Sequence, residues 1–115
     1  MNWYLAKIIF NININNGMNA SQFDEQLRLI EAQTPDEAFF KARALGKQEE
    51  ESFINEKKNT VDWKFIDVAE LTQLNELKDG SEIYSNTHEA DEVNAYIKFV
   101  KHKAMLIQSN HLIFA

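Results

Sequence analysis

Trp3 to Asn15 (WYLAKIIFNININ) alternates with period two, an Asn16-Gly17 dipeptide follows, and Phe23 to Gln33 alternates again. Two such runs around that dipeptide read as a β-hairpin. In the first run Tyr4, Ala6, Ile8, Phe10, Ile12 and Ile14 are all apolar, so the even face is expected to point into a core. A two-residue turn would set opposite one another positions whose numbers sum to about 33. Phe10 then meets Phe23, Ala6 meets Leu27 and Tyr4 meets Leu29 on the core face, and Ile8 against Glu25 is the one mismatch. The other face sets Trp3 against Ile30, Lys7 against Gln26 and Ile9 against Asp24. Its apolar end (Trp3, Leu5, Ile30) needs a cover, which a second helix or another subunit could supply.

Thr34-Pro35-Asp36-Glu37 carries the residues of a helix start: a capping Thr, a Pro where no N–H is required, and a Glu able to reach back. The helix is expected to run to about Leu45, with Ala38, Phe39, Ala42 and Leu45 inward, Phe40 at the edge and Gly46 as its stop, unless Glu49–Glu51 prolong it by a turn. Ser52 to Asn55 and Thr60 to Val68 read as a second hairpin around Glu56–Asn59. Val61, Trp63 and Phe65 alternate before the apolar phase moves to Ile66 and Val68, as a bulge or a strand buried on both faces would produce. Leu71, Leu74 and Leu77 recur at three, which leaves Ala69 to Leu77 open between strand and helix. Asp79-Gly80 is a turn, and Ser81 to Ser85 reads as a short last strand. Asn86 or Thr87 would then cap a long helix from His88 to Ile107, with Val93, Ile97, Val100 and Ala104 inward and Tyr96 beside them. Glu89, Asp91 and Glu92 at its start and Lys98, Lys101 and Lys103 toward its end would complement the helix dipole. Leu112-Ile113-Phe114 is apolar enough to dock.

The expected architecture is therefore α+β. It has an antiparallel sheet of four to five strands in the order β-β-α-β-β-β-α, one helix packed on the sheet and a long C-terminal helix. With 115 residues, one Pro and three Gly, residues 1–115 read as a single domain: a core over 3–86, then a helix and tail over 87–115. A net charge of −6 speaks against a nucleic-acid partner, and no run approaches the ~20 apolar residues of a spanning helix, so no membrane partner is expected. Lys7 and three Asn interrupt the apolar N-terminal run, which does not resemble a secretory leader. A cytoplasmic location is expected. Without cysteine, disulfides and thiolate chemistry are excluded.

The segments WYLAKIIF, LIEAQTPDEAFFKARALGK, FINEKKNTVDWKFIDVAEL and DGSEIYS resemble a small bacterial family of uncharacterised proteins, domain-of-unknown-function family 4288, over roughly residues 3–85. Trp3-Tyr4, the Glu31-Ala32 to Ala38 junction and Asn55 leading into Val61–Val68 carry the resemblance. Members have a Gly in the turn where this chain has Lys58, which touches the turn type of the second hairpin. The resemblance implies a fold and no activity.

Few residues suggest chemistry. His88, His102 and His111 have no zinc-ligand spacing, although His88 lies near Glu89 and Glu92. No Ser sits on a Gly-rich elbow, and the isolated Gly17, Gly46 and Gly80 form no phosphate loop. No catalytic residue, metal or cofactor is assigned. Glu25 stands out because its phase aims a carboxylate at the core, where its pKa would rise. The ligand-binding or interface candidates are Trp3, Tyr4, Leu5, Glu25, Ile30 and Trp63. Apolar residues on both faces of the first strand favour a non-enzymatic interaction domain that associates with itself or with an unidentified protein. Two alternatives stand beside it: a small-ligand-binding or enzymatic domain with a pocket lined by Tyr4, Phe10, Trp63 and Glu25, and an acidic protein that neutralises a basic partner.

Overall fold

β1 (Asn2–Ile14) and β2 (Gln22–Ala32) form the antiparallel hairpin, and α1 (Pro35–Gln48) follows directly. β3 (Glu51–Ile54) and β4 (Thr60–Leu74) form the second hairpin, and α2 (Val93–Ser109) comes last. The structure, a computed structural model, describes residues 1–15 and 21–110. They divide into two units, Met1–Tyr84 and the residues from Ser85 onward.

The first unit is a four-stranded antiparallel sheet in the order β2-β1-β4-β3, so the two long strands β1 and β4 are central. The fold is α+β with a four-stranded antiparallel sheet, as expected, and the element order has one strand fewer after α1. Ser81–Ser85 is not a strand, and β4 instead continues through Leu74 because β1 offers it a partner along its whole length. The phase change after Phe65 is a pair of bulges. Register slips between Lys7 and Ile8 and again between Ile9 and Phe10, which leaves Ala69 and Ile66 as the extra residues.

The even face of β1 is the core face. Tyr4, Ala6, Ile8 and Phe10 are buried with Ile30, Ala32 and Phe65 under Ala38 and Ala42 of α1. Fully burying a side chain such as Ile8 or Phe10 contributes roughly 1.5–3 kcal/mol. The Tyr4 hydroxyl lies in this core with no hydrogen-bond partner among the described residues. Tyr4→Phe is expected to raise stability by about 1 kcal/mol, because it removes an unsatisfied buried hydroxyl without changing the ring. A loss of urea resistance in that variant would show that the hydroxyl is bonded.

The β1–β2 register differs from the expected one by a single residue. Paired positions sum to 34, as in Tyr4 with Ile30 and Lys7 with Leu27. Nine residues (13–21) separate the last pair, Ile12 and Gln22, and Asn16-Gly17 falls outside the described residues. Because side chains alternate, one residue of slip exchanges the two faces of β2. Phe23, Leu27 and Leu29 therefore leave the core face, and Ile30 joins it.

α1 begins as its sequence implies. Thr34 Oγ1 accepts from Glu37 N at 3.1 Å, and Glu37 Oε2 accepts from Gln33 N at 3.2 Å. Gly46 does not end the helix, which runs two residues further. Its buried α-carbon lies against Phe65, and an added Cβ would sit 2.3 Å from the ring.

In the second hairpin Lys58 has φ 63°, the left-handed conformation that glycine adopts without cost. Asn55 fixes the turn by accepting from both Lys57 N and Asn59 N at 3.0 Å. Lys58→Gly is expected to stabilise the unit by about 0.5 kcal/mol, the relieved strain exceeding the added chain entropy. A lowered melting temperature would contradict this.

At the bulges Asp67 receives both Nε and Nη2 of Arg43 on α1, at 2.9 and 3.0 Å. Arg43, and then the Val68 N–H, holds the Asp67 carboxyl below the ordinary carboxylate range. A depressed folded pKa gives stability that is present above the unfolded value of about 4 and lost as pH falls through the folded one. The difference in melting temperature between wild type and Asp67→Asn should therefore be constant above about pH 5 and close below pH 4. It should also be small, since both side chains are nearly half exposed. A gap that persists at pH 2 would contradict the assignment.

In the second unit α2 starts five residues later than the sequence suggests. Glu92 takes the N-cap position without a side-chain cap bond. Glu89 and Asp91 consequently precede the helix and Lys98–Lys103 lie in its middle, so the expected dipole pairing is not formed. His88 packs edge-on against Tyr96, with ring centroids 5.3 Å apart. Every residue from Glu82 to Asn110 is exposed, including the stripe expected to face inward. The Leu112–Phe114 tail lies outside the described residues.

Candidate functional site

The sheet face turned away from α1 carries the odd positions of β1 and β2. At its centre Lys7 bridges the neighbouring strands. Its Nζ lies 2.8 Å from Glu70 Oε2 on β4 and 3.7 Å from Glu25 Oε1 on β2. The same Nζ donates to the Tyr84 hydroxyl at 3.5 Å and sits 5.4 Å from the centre of that ring. The Glu70 carboxylate, aided by Tyr84, holds the Lys7 ammonium above its ordinary range. It is therefore charged at every physiological pH. Tyr84 also shows that the segment after β4 returns over this face, on which Leu5 and Leu74 are buried.

Around the Lys7–Glu25 pair the face carries exposed apolar side chains. Along β2, Phe23 is 64% exposed, Leu27 48% and Leu29 54%, with Trp3 of β1 next to them at 37%. Trp3 and Leu29 also line a depression of about 450 Å³ with Lys41 and Leu45 of α1. β2 is an edge strand of eleven residues, so its outer main-chain groups are not paired within the sheet. Its other face is polar from Asp24 to Arg28, before Ile30 and Ala32 enter the core. Gln26 donates to Asp24 at 2.7 Å, Arg28 Nε donates to Gln26 at 3.0 Å, and Arg28 Nη2 donates to Glu49 at the C-terminal end of α1. This row of hydrogen bonds accommodates Asp24, Gln26 and Arg28 on the helix side, while Leu27 and Leu29 face solvent.

The sequence candidates separate accordingly. Trp3 and Leu5 share the open face with Glu25, whose side chain is 63% exposed and points away from the core. Tyr4 and Ile30 are core residues. Trp63 is half-buried on the core face, its ring 6.0 Å from that of Phe10. Phe10 and Trp63 do line a cavity, of about 360 Å³, together with Gln26, Glu49 and Glu51. Gln26 stands there where Glu25 was expected, by the same one-residue exchange of faces. Phe23, Leu27 and Leu29 were missed as surface residues for that reason. The available signal was charge pairing: the observed register frees Glu25 to meet Lys7 and removes it from Ile8.

Among the described residues no group of three or more His, Cys, Asp or Glu side chains is placed to hold a metal ion. No described helix is long and apolar enough to cross a membrane. The family model described as "Domain of unknown function (DUF4288)" matches residues 3–85. The chain belongs to this family. The matched DUF4288 region coincides with the sheet-and-helix unit and ends one residue past it, so the family is defined by that unit and not by α2. Neither a curated protein nor a solved structure matches the chain.

Proposed function

We propose that this DUF4288 protein is a non-enzymatic interaction domain that associates with itself through the open face of its sheet. The observation that carries the reading is the exposure of Phe23, Leu27 and Leu29 beside Trp3, a row interrupted only by the Lys7-paired Glu25, on a strand with one free edge. Large apolar side chains grouped on one face in this way are costly in water and characteristic of association sites, whereas singly scattered ones are not. An edge strand adds directional pairing, since two antiparallel copies of β2 can satisfy each other's main-chain groups about a twofold axis. The proposal keeps the cytoplasmic location expected from the sequence.

The Phe10–Trp63 cavity supports a second reading, a small-ligand site whose polar lining is Gln26, Glu49 and Glu51. Native mass spectra of gently purified protein at two concentrations separate the two. A monomer–dimer distribution that moves with concentration is the result expected for self-association. A monomer carrying the added mass of a small molecule would replace that reading with the second. A complex with a different polypeptide would show that the row serves another partner, and a basic one would favour the neutralising role.

A further inference from the structure

We infer that α2 pairs in parallel with α2 of a second copy. Val93, Ile97, Val100, Ala104 and Ile107 follow one another at spacings of four, three, four and three residues. That is the heptad seam of a left-handed coiled coil, and it holds no charged residue. The other side of the helix is mixed: Lys98, His102 and Ser109 alternate there with Ala95, Phe99, Met105 and Leu106, so no heptad seam of comparable length runs along it. All of α2 is exposed in the single chain, although most of its side chains are apolar.

The uncharged heptad seam matches a second copy of itself, and the residues flanking it set the direction. They are Asn94, Tyr96, Lys101, Lys103 and Gln108, with no acid among them. In a parallel pair Tyr96 of one helix faces Lys101 of the other, and Lys103 faces Gln108. The first is an ammonium–aromatic contact of the kind Lys103 already makes with Phe99, 4.8 Å from the ring centre. In an antiparallel pair Lys101 would face Lys101 at the middle of the helix, a like-charge contact. The small Ala104 in the seam lets the helices approach closely. Seventeen residues span about 25 Å, or two and a half heptads, which is marginal for an isolated pair. The pairing therefore rests on the sheet-face association, which holds two copies together and makes helix contact intramolecular in effect.

The chain has no cysteine, so single cysteines report without background. Val93→Cys, Ile107→Cys and, on the outer face, His102→Cys are oxidised in a glutathione buffer, each alone and the first two mixed. The fold of each is checked by circular dichroism. Parallel pairing predicts that Val93→Cys and Ile107→Cys each form same-site disulfide dimers at least tenfold faster than His102→Cys, and that the mixture yields little mixed dimer. Predominance of the mixed dimer would mean antiparallel helices and overturn the inference. Crosslinking at the His102→Cys rate, in protein that native mass spectra show to be dimeric, would overturn helix pairing and leave the sheet-face reading standing. Protein that is monomeric by both measures would overturn the two together.

Discussion

Replacing Gly46 by alanine is expected to lower the stability of the sheet-and-helix unit by about 2 kcal/mol, roughly 10 °C in melting temperature. The same change in an exposed helix interior would raise stability by up to about 1 kcal/mol, because glycine is the more costly residue to order there. The sign reverses at this position because α1 approaches β4 until the Gly46 α-carbon rests on Phe65. The nearest ring carbons would lie 2.3 and 2.4 Å from the new methyl group. Phe65 has little room to retreat, since it is buried and packs edge-on against Phe10 at 6.1 Å between ring centres. The cost is one of shape and not of helix propensity. Gly46→Ala should accordingly cost less in a Phe65→Leu background than in wild type, a coupling that a double-mutant cycle measures. A higher melting temperature for the single variant would mean that α1 does not pack this closely.

Leu27→Asp is expected to abolish self-association while leaving the fold intact, weakening the dimer at least a hundredfold, or about 3 kcal/mol. Leu27 lies among the exposed apolar residues, so an ionised carboxylate there would lose its hydration in the dimer, a cost that Lys7, already shared between Glu70 and Glu25, does not offset. In the monomer it would be harmless. The position is half exposed, and its cross-strand neighbour is Lys7, which offers the new carboxylate a cation. Loss of association combined with an unchanged melting temperature for the monomer is thus the expected signature. A variant that unfolds would instead assign Leu27 a structural role.

Much of the architecture is legible from local pattern. The Thr34–Glu37 start of α1, the even core face of β1 and the phase change after Phe65 are each announced by a few neighbouring residues, and the structure resolves the last as bulges. The register of β2 is not announced locally. Apolarity favours the odd residues Phe23, Leu27 and Leu29 for the core, and the structure buries Ile30 and Ala32 instead. The observed register goes with contacts that are long-range: Arg28 reaches Glu49 across the helix side, and Glu25 reaches Lys7 on the open face. Neither partner is close in sequence. The same slip explains the fate of the candidate site. Trp3 and Leu5 stay on the surface face, Ile30 moves to the core, and Glu25 changes from a buried acid into a surface partner of Lys7. The continuation of β4 through Leu74 was hidden for a related reason, because leucines at a spacing of three fit a helix equally well until β1 is known to lie beside them.

The most direct test is sedimentation equilibrium of the wild-type chain and of Leu27→Asp over a hundredfold range of concentration. Self-association through the open sheet face predicts a wild-type mass that rises to that of a dimer and a variant that stays monomeric throughout. A wild-type chain that remains monomeric at the highest concentration, or a Leu27→Asp chain that dimerises as the wild type does, would contradict it.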